Sequence, residues 1–230
     1  LNLALIEWTV TTVSSFQLSY AWVAGPMLWW SSIFYFALGM WALLPQYRPR
    51  PNRCITMLAL WVIAGICAPP LFANDDELHC TFIAVGQGCS VLLELPGGVS
   101  ILYDAGKMGS PESASRAISA VLWSRGRTHI DSVLISHADA DHFNATPDLL
   151  QRFSVGAIYV STVMQADKAP SVQALYKQLR RDNVPLRTLI RGDQFTSGGT
   201  TLSVLHPSAA GIEETHFGSI DNANSIVLLV

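Results

Sequence analysis

Charge is scarce in this chain. Only 13% of its 230 residues are Asp, Glu, Lys or Arg, about half of the ~25% usual in a soluble domain. Beyond residue 74 the scarcity falls on the basic side, with 11 basic against 16 acidic residues. Strong non-specific binding to nucleic acid rests on a basic surface, so this balance counts against it. Cysteine is sparse as well. Cys54, Cys67, Cys80 and Cys89 form no CxxC pair, which removes a zinc knuckle or a thioredoxin-type motif. Cys80 and Cys89 keep two readings: a disulfide in an oxidising compartment, or two buried free thiols. The chain starts at Leu1 and stops at Val230 inside an apolar run, and is read as a fragment of a longer protein.

The missing charge is concentrated in two stretches. Residues 26–44 and 54–73 contain no ionisable Asp, Glu, Lys or Arg. A helix needs ~20 apolar residues to cross the ~30 Å hydrocarbon core, and Trp29, Trp30, Trp41, Tyr47 and Trp61 lie near or toward the ends, as interfacial aromatics do. Two transmembrane helices are therefore expected over 26–74, with the lipid bilayer as a partner; a pair of buried core helices is the plainer alternative. The loop 45–53 carries Arg48, Arg50 and Arg53 and no acid. By the positive-inside tendency it is cytoplasmic, which would put residues 78–230 on the other side, outside the cytoplasm. Residues 1–25, broken by Glu7, Gln17 and several hydroxyl residues, read as a helix of uncertain placement.

From residue 78 the pattern changes to short apolar runs closed by Gly and Pro turns. Runs at 78–85, 90–95 and 99–103, separated by Gly86-Gln87-Gly88 and Pro96-Gly97-Gly98, predict an antiparallel start. Helices are expected over 112–124, 147–153 and 171–181, and strands over 132–136, 155–160, 200–205 and 225–230. Strands first and then alternation imply an α/β layered sandwich over 78–230, with helices outside the sheets.

The chemistry gathers at His137-Ala138-Asp139-Ala140-Asp141-His142, immediately after the strand-like residues 131–136. Two imidazoles and two carboxylates at a strand end are suited to holding divalent metal for hydrolysis. An EF-hand calcium loop fails, because the sixth position from Asp139 is Asn144 rather than Gly. A helical zincin fails too, since the histidines are five apart with no Glu between. A solvated polar loop is the remaining alternative.

The pattern resembles the H-x-H-x-D-H signature of the metallo-β-lactamase fold, an αββα sandwich. That resemblance assigns His137 and Asp139 to one metal, and Asp141 and His142 to a second. Asp139 stands where many members carry His; as a harder ligand it favours manganese, with zinc as the other choice. Val85-Gly86-Gln87-Gly88, Asp104-Ala105-Gly106 and Ser136–His142 occur in the order found in the C-terminal domain of ComEC-type competence proteins, the membrane channels for DNA uptake. This resemblance implies a nuclease acting on single-stranded DNA through two divalent ions, with Asp141 orienting the attacking water, and other DNA-uptake proteins as partners. The family's later ligands would lie beyond Val230, so the fragment itself is expected to be inactive. His206 is the candidate stand-in for a third histidine, against a plain strand-end role. Asp104 is read as a turn-forming carboxylate beneath the site, with a part in orienting ligands as the alternative. Cys89 and the pair Asn144-Ala145 depart from the family pattern, and the latter motivates a non-catalytic reading with a decayed site. Hydrolysis of a small ester or phosphodiester is the other alternative. Arg180, Arg181, Arg187 and Arg191 read as a basic edge for phosphates or as a solvated helix face. His79, His129 and His216 have no partner in sequence.

Overall fold

The structure is a computed structural model that describes residues 2–14, 26, 28–71, 77–197, 199–210 and 219–230. His216 lies outside these residues. Three helices come first: α1 (Asn2–Ser14), α2 (Leu28–Leu43) and α3 (Pro51–Leu71), with a 3-10 turn at Pro45–Tyr47. The ring of Trp30 on α2 stacks on Trp61 of α3 with centroids 5.4 Å apart, and its indole N–H donates to the Trp61 carbonyl at 2.9 Å. Gly65 makes room for this contact, because a Cβ there would lie 2.6 Å from the Trp30 ring. Leu28, Tyr35, Phe36 and Leu43 of α2, and Ile55, Met57 and Leu60 of α3, are exposed.

No helix among the described residues is long and apolar enough to cross a membrane, which corrects the expectation of transmembrane helices over 26–74. The apolar runs do form helices, but shorter ones. The 16 residues of α2 rise about 24 Å at 1.5 Å each, less than the ~30 Å core. In α3 the first turn is spent on Pro51, Asn52 and Arg53.

The rest is a mixed α/β domain. Strands β1 (His79–Phe82), β2 (Val91–Glu94), β3 (Ser100–Tyr103), β4 (His129–Leu134), β5 (Ser154–Ser161) and β6 (Leu186–Leu189) form one sheet in sequence order. The first three pair antiparallel and the next three join in parallel. Strands β7 (Gln194–Ser197), β8 (Thr200–His206) and β9 (Val227–Leu229) form a second, antiparallel sheet. Short helices α5 (Ala140–Phe143), α6 (Thr146–Leu150), α7 (Thr162–Ala166) and α9 (Ile220–Ala223) fill the connections, and α4 (Pro111–Ser124) and α8 (Pro170–Arg181) are longer.

Two cores define the layers. Ala114, Ile118 and Leu122, spaced four apart on α4, pack with Leu149 of α6 and Val172, Leu175, Tyr176 and Leu179 of α8 against Leu102, Val133 and Ile158 of the large sheet. Each complete burial of a Leu or Ile such as Leu122 contributes about 1.5–3 kcal/mol. On the sheet's other face Leu93, Ile101 and Leu134 meet Leu202 and Val204 of the small sheet and Ile226, which leads into β9. Described residues thus stack helix on sheet on sheet. Pro111 and Pro170 open α4 and α8 at positions where no N–H is needed.

The expected strands are all present with shifted bounds, most of all 78–85, which reduces to β1, and 225–230, which reduces to β9. Elements not expected are the 3-10 turn, α5, α7, β6, β7 and α9. Strand β6 is an edge, and Arg187 on it keeps such an edge from pairing further. Cys54, Cys80 and Cys89 are free thiols, so Cys80 and Cys89 are not joined, and Cys80 is exposed rather than buried.

Candidate metal centre

Parallel pairing of β3 with β4 brings their C-terminal ends to one edge of the sheet, where Asp104 and the segment 136–142 emerge side by side. Ligand sites in such sheets form at this edge. The His/Asp turn then folds into α5, closed by the His142 amide donating to the Asp139 carbonyl at 3.0 Å. Its floor is made by the two glycine turns. A Cβ at Gly106 would lie 2.4 Å from the Asp141 carbonyl carbon, and one at Gly88 would lie 2.3 Å from the Gly106 oxygen. Neither glycine is in the left-handed region; space is what excludes a side chain.

Asp104 organises the histidines. It is 1% exposed and held at φ +58°, a conformation Asp tolerates better than most residues. Its Oδ1 accepts from the Ser136 amide at 2.7 Å, and its Oδ2 from the Ser136 hydroxyl at 2.8 Å. His142 Nδ1 lies 2.7 Å from the same Oδ2. An ionised carboxylate only accepts, so Nδ1 of His142 carries a proton. The Ser136 hydroxyl donates its hydrogen bond to Asp104 and so can accept one from His137 Nδ1, 2.8 Å away. One buried carboxylate therefore orients both rings, and with an ion taking the place of the direct His137 Nε2–Asp139 contact both Nε2 atoms would serve as lone-pair donors.

Those Nε2 atoms face the two remaining acids. His137 Nε2 lies 3.2 Å from Asp139 Oδ2, and His142 Nε2 lies 4.0 Å from Asp141 Oδ2. The imidazole rings are 4.0 Å apart. Two ligands at ~2.0–2.1 Å from a tetrahedral ion are roughly 3.3 Å from each other, so the first pair matches a shared ion closely and the second comes near it. Donor chemistry and spacing fit two divalent cations. His137 is buried, while Asp139, Asp141 and His142 are partly open to solvent.

Among the described residues one further grouping collects three donor types, with Cys89, Asp104 and His142 atoms all within 4.8 Å of one another. Burial, then the charge and hydrogen bond of Asp104, push the Cys89 thiol up to about 11. It stands as a protonated donor to Asp104. For His142, burial works against the charged ring, but the hydrogen bond and charge of Asp104, with the charges of Asp141 and Asp139, outweigh it and raise its pKa above the ordinary imidazole value.

Other residues arrive from far along the chain. Asn222 of α9 donates to Asp139 Oδ2 at 3.4 Å, and Ser225 Oγ lies 3.2 Å from His137 Nδ1. The Ile226 amide donates to the Ser136 carbonyl at 2.9 Å. Asp221 lines a cavity of about 480 Å³ with Asp167 and Thr162. Burial, then Asp167 and Asp139, raise its pKa. Asn144 clips the loop above Gly106, its amide accepting from the Lys107 N–H at 3.1 Å and donating to the Lys107 carbonyl at 2.7 Å. Ala145 beside it is fully buried. The departure from the family pattern at these two positions has a structural use.

His206 ends β8, with Nε2 2.8 Å from the Ala223 carbonyl. Its ring donates to backbone there and is not gathered with the other donors. The four arginines do not form one edge. Arg180 and Arg181 complement the dipole at the C-terminal end of α8, where the chain turns back toward the start of β6. Arg191 follows the end of β6, on the edge that carries the metal donors. Arg187 lies 6.0 Å over the Tyr159 ring.

The match to the metallo-beta-lactamase superfamily covers residues 83–217, more than half of the chain. The chain belongs to that superfamily. Among solved structures it is similar to the metallo-beta-lactamase fold protein YhfI from Bacillus subtilis, at 19% identity over 56% of this chain and 53% of that one, with a TM-score of 0.40. It is also similar to a HARLDQ-motif mutant of a metallo-beta-lactamase from Cronobacter sakazakii, at 24% identity over 55% and 50%, TM-score 0.37. A third is the chemotaxis sensor ODP from T. denticola, at 18% identity over 58% and 51%, TM-score 0.38. The chain spans about half the length of these structures. No curated protein matches it.

Proposed function

We propose that the domain is a two-metal phosphodiesterase acting on DNA at a membrane, as part of a DNA-uptake protein of the ComEC type. The observation that carries this reading is the pairing of His137 with Asp139 and of His142 with Asp141, both Nε2 atoms turned toward the carboxylates by Asp104. Divalent ions bound there supply Lewis acidity, lowering the pKa of a water and neutralising charge on a phosphoryl oxygen. Manganese is the favoured ion, because Asp139 adds a hard oxygen donor, and zinc is the second choice. Asp141, at the mouth, binds and orients the water. Asn222 steadies Asp139, and Asp104 holds His142 in its metal-ready tautomer. Arg191 is placed to meet a phosphate on a single-stranded DNA backbone. His206 is retained as a structural residue of β8. A decayed site is disfavoured, since Asn144 and Ala145 brace the metal loop.

A second reading is hydrolysis of a small ester or phosphodiester. The acidic cavity at Asp167 and Asp221 favours it, because a polyanion approaching that side meets like charge. The test uses the full-length protein loaded with manganese and a labelled DNA single strand. Cleavage should appear, and Asp141→Ala should lower its rate by about a hundredfold or more. Two bound ions with hydrolysis of a small phosphodiester, and none of DNA, would decide for the second reading.

The helices preceding the domain expose Ile33, Phe36, Trp41 and Met57, and we place them in the interfacial layer of the cell-membrane bilayer without crossing it, among other DNA-uptake proteins. The domain lies outside the cytoplasm. Cys80, exposed on β1, reports on this. An impermeant maleimide applied to intact cells should label it, and Cys80→Ser should remove most of the label. Labelling only after lysis would reverse the orientation.

A further inference from the structure

Helices α2 and α3 leave a groove between them of about 530 Å³, lined by Phe34, Ala37 and Trp41 on one side and Cys54, Leu58 and Trp61 on the other. The stack of Trp30 on Trp61 lies toward one end. At the other, Leu44 and Pro49 form a mouth; Arg48 and Arg50 flank Pro49 in the chain and Arg53 precedes Cys54, all three exposed. Arg48 is already posed, its Nε donating to the Trp41 carbonyl at 3.0 Å and its guanidinium 4.5 Å over the Trp41 ring. No acid occurs between residues 26 and 74, so nothing in this segment neutralises the mouth.

Chemistry selects the occupant. From Phe34 to Leu44 the helix rises about 15 Å, and along that length the groove is lined by apolar side chains and ends beside three arginines with no acid in the segment. An acyl chain joined to a phosphate matches both parts. We propose that the α2–α3 hairpin binds one anionic phospholipid, its acyl chain in this groove and its phosphate at Arg48, Arg50 and Arg53. The proposal rests on the bilayer placement of these two helices. Arginine near a membrane attracts anionic lipid in any case; the groove turns that diffuse attraction into a site holding one molecule.

The full-length protein is floated on vesicles of pure phosphatidylcholine and of phosphatidylcholine with phosphatidylglycerol, and its retained lipids are counted by native mass spectrometry. One phosphatidylglycerol per chain is expected, retained at least tenfold over phosphatidylcholine. Arg50→Gln with Arg53→Gln should erase that preference. Ala37→Trp, and independently Leu58→Trp from the opposite wall, should also erase it while leaving every arginine in place and flotation intact. Flotation with no retained phosphatidylglycerol, or retention unchanged in both groove-filling variants, overturns the lipid site and leaves the bilayer placement standing. Failure to float even on phosphatidylcholine overturns the placement, and the site with it.

Discussion

Gly106→Ala should destabilise the domain by about 1–3 kcal/mol, or roughly 2–12 °C in melting temperature, and should cost it tight metal binding. The added methyl would lie 2.4, 2.5 and 2.6 Å from the Asp141 carbonyl carbon, the Asp141 oxygen and the His142 nitrogen. These are backbone atoms of the turn that carries two of the four proposed metal donors, so no side chain can swing aside. Either the 104–107 turn or α5 must move. The Ala105 amide donates to the His142 carbonyl at 2.7 Å, and the Ala145 amide to the Ala105 carbonyl at 2.9 Å; movement on either side breaks one of these bonds. Gly109→Ala is the control. That residue has φ +87° and nothing within 4 Å of its would-be Cβ, so the cost is about 1 kcal/mol of backbone strain with metal binding unchanged. Calorimetric melting and metal titration of both variants measure this. Equal loss of metal affinity in the two would show that crowding at Asp141 is not the cause.

Asp104→Asn should weaken metal binding by about 10–100-fold with little change in shape. The amide keeps one oxygen but puts an N–H where Oδ2 now meets both the Ser136 hydroxyl and His142 Nδ1. Nδ1 must then accept, its proton moves to Nε2, and the donor facing Asp141 is lost. Asp104→Ala should be worse. It leaves the buried Ser136 amide without its partner, a loss of about 1–3 kcal/mol, and puts alanine at φ +58°. Wild-type metal affinity should rise with pH until the raised pKa of His142 is passed, because the ion displaces the ring proton. Removing the Asp104 charge removes the cause of the raise, so the midpoint should move to lower pH even as the plateau affinity falls. Chelator competition across pH gives the affinities, and nitrogen-15 shifts of the His142 ring give the tautomer. Affinity within twofold of wild type, with Nδ1 still protonated, would show that Asp104 does not set the donor.

Much of this site was legible because its donors are local. Four of them fall within six residues after a strand, and the Gly turns that pack beneath them are motifs in their own right. What organises them was not legible. Ser136 was read only as the residue before the histidine, while its partnership with Asp104 spans 32 positions. The reach of Asn222 to Asp139 spans 83. Local pattern encodes which residues share a face of a strand, and not which loop arrives above it. Cys89 was noted only as a departure, and its thiol turns out to belong to the Asp104 cluster. The fold followed the same rule. Helix α8 announced itself through four apolar residues on one face, whereas β6 and β7, four residues each and mixed with Arg, Gln and Thr, carry too little periodicity to read. Hydropathy located the apolar helices correctly, but helix length depends on where the first and last turns close, and prolines set those limits at Pro45 and Pro51.

The connectivity of the centre has a kinetic side. Its floor, from Asp104 to Ala145, closes over about forty residues, and β3, β4 and the intervening α4 can form it as one unit. Its wall comes from Ser225 and Ile226, contacts 88 and 123 residues distant from His137 and Tyr103. Loop-closure entropy must be met before such contacts return any energy. The folding chain should therefore gather its imidazoles and carboxylates before the seal around them, and in that interval a divalent ion of the folding compartment would meet the cradle open.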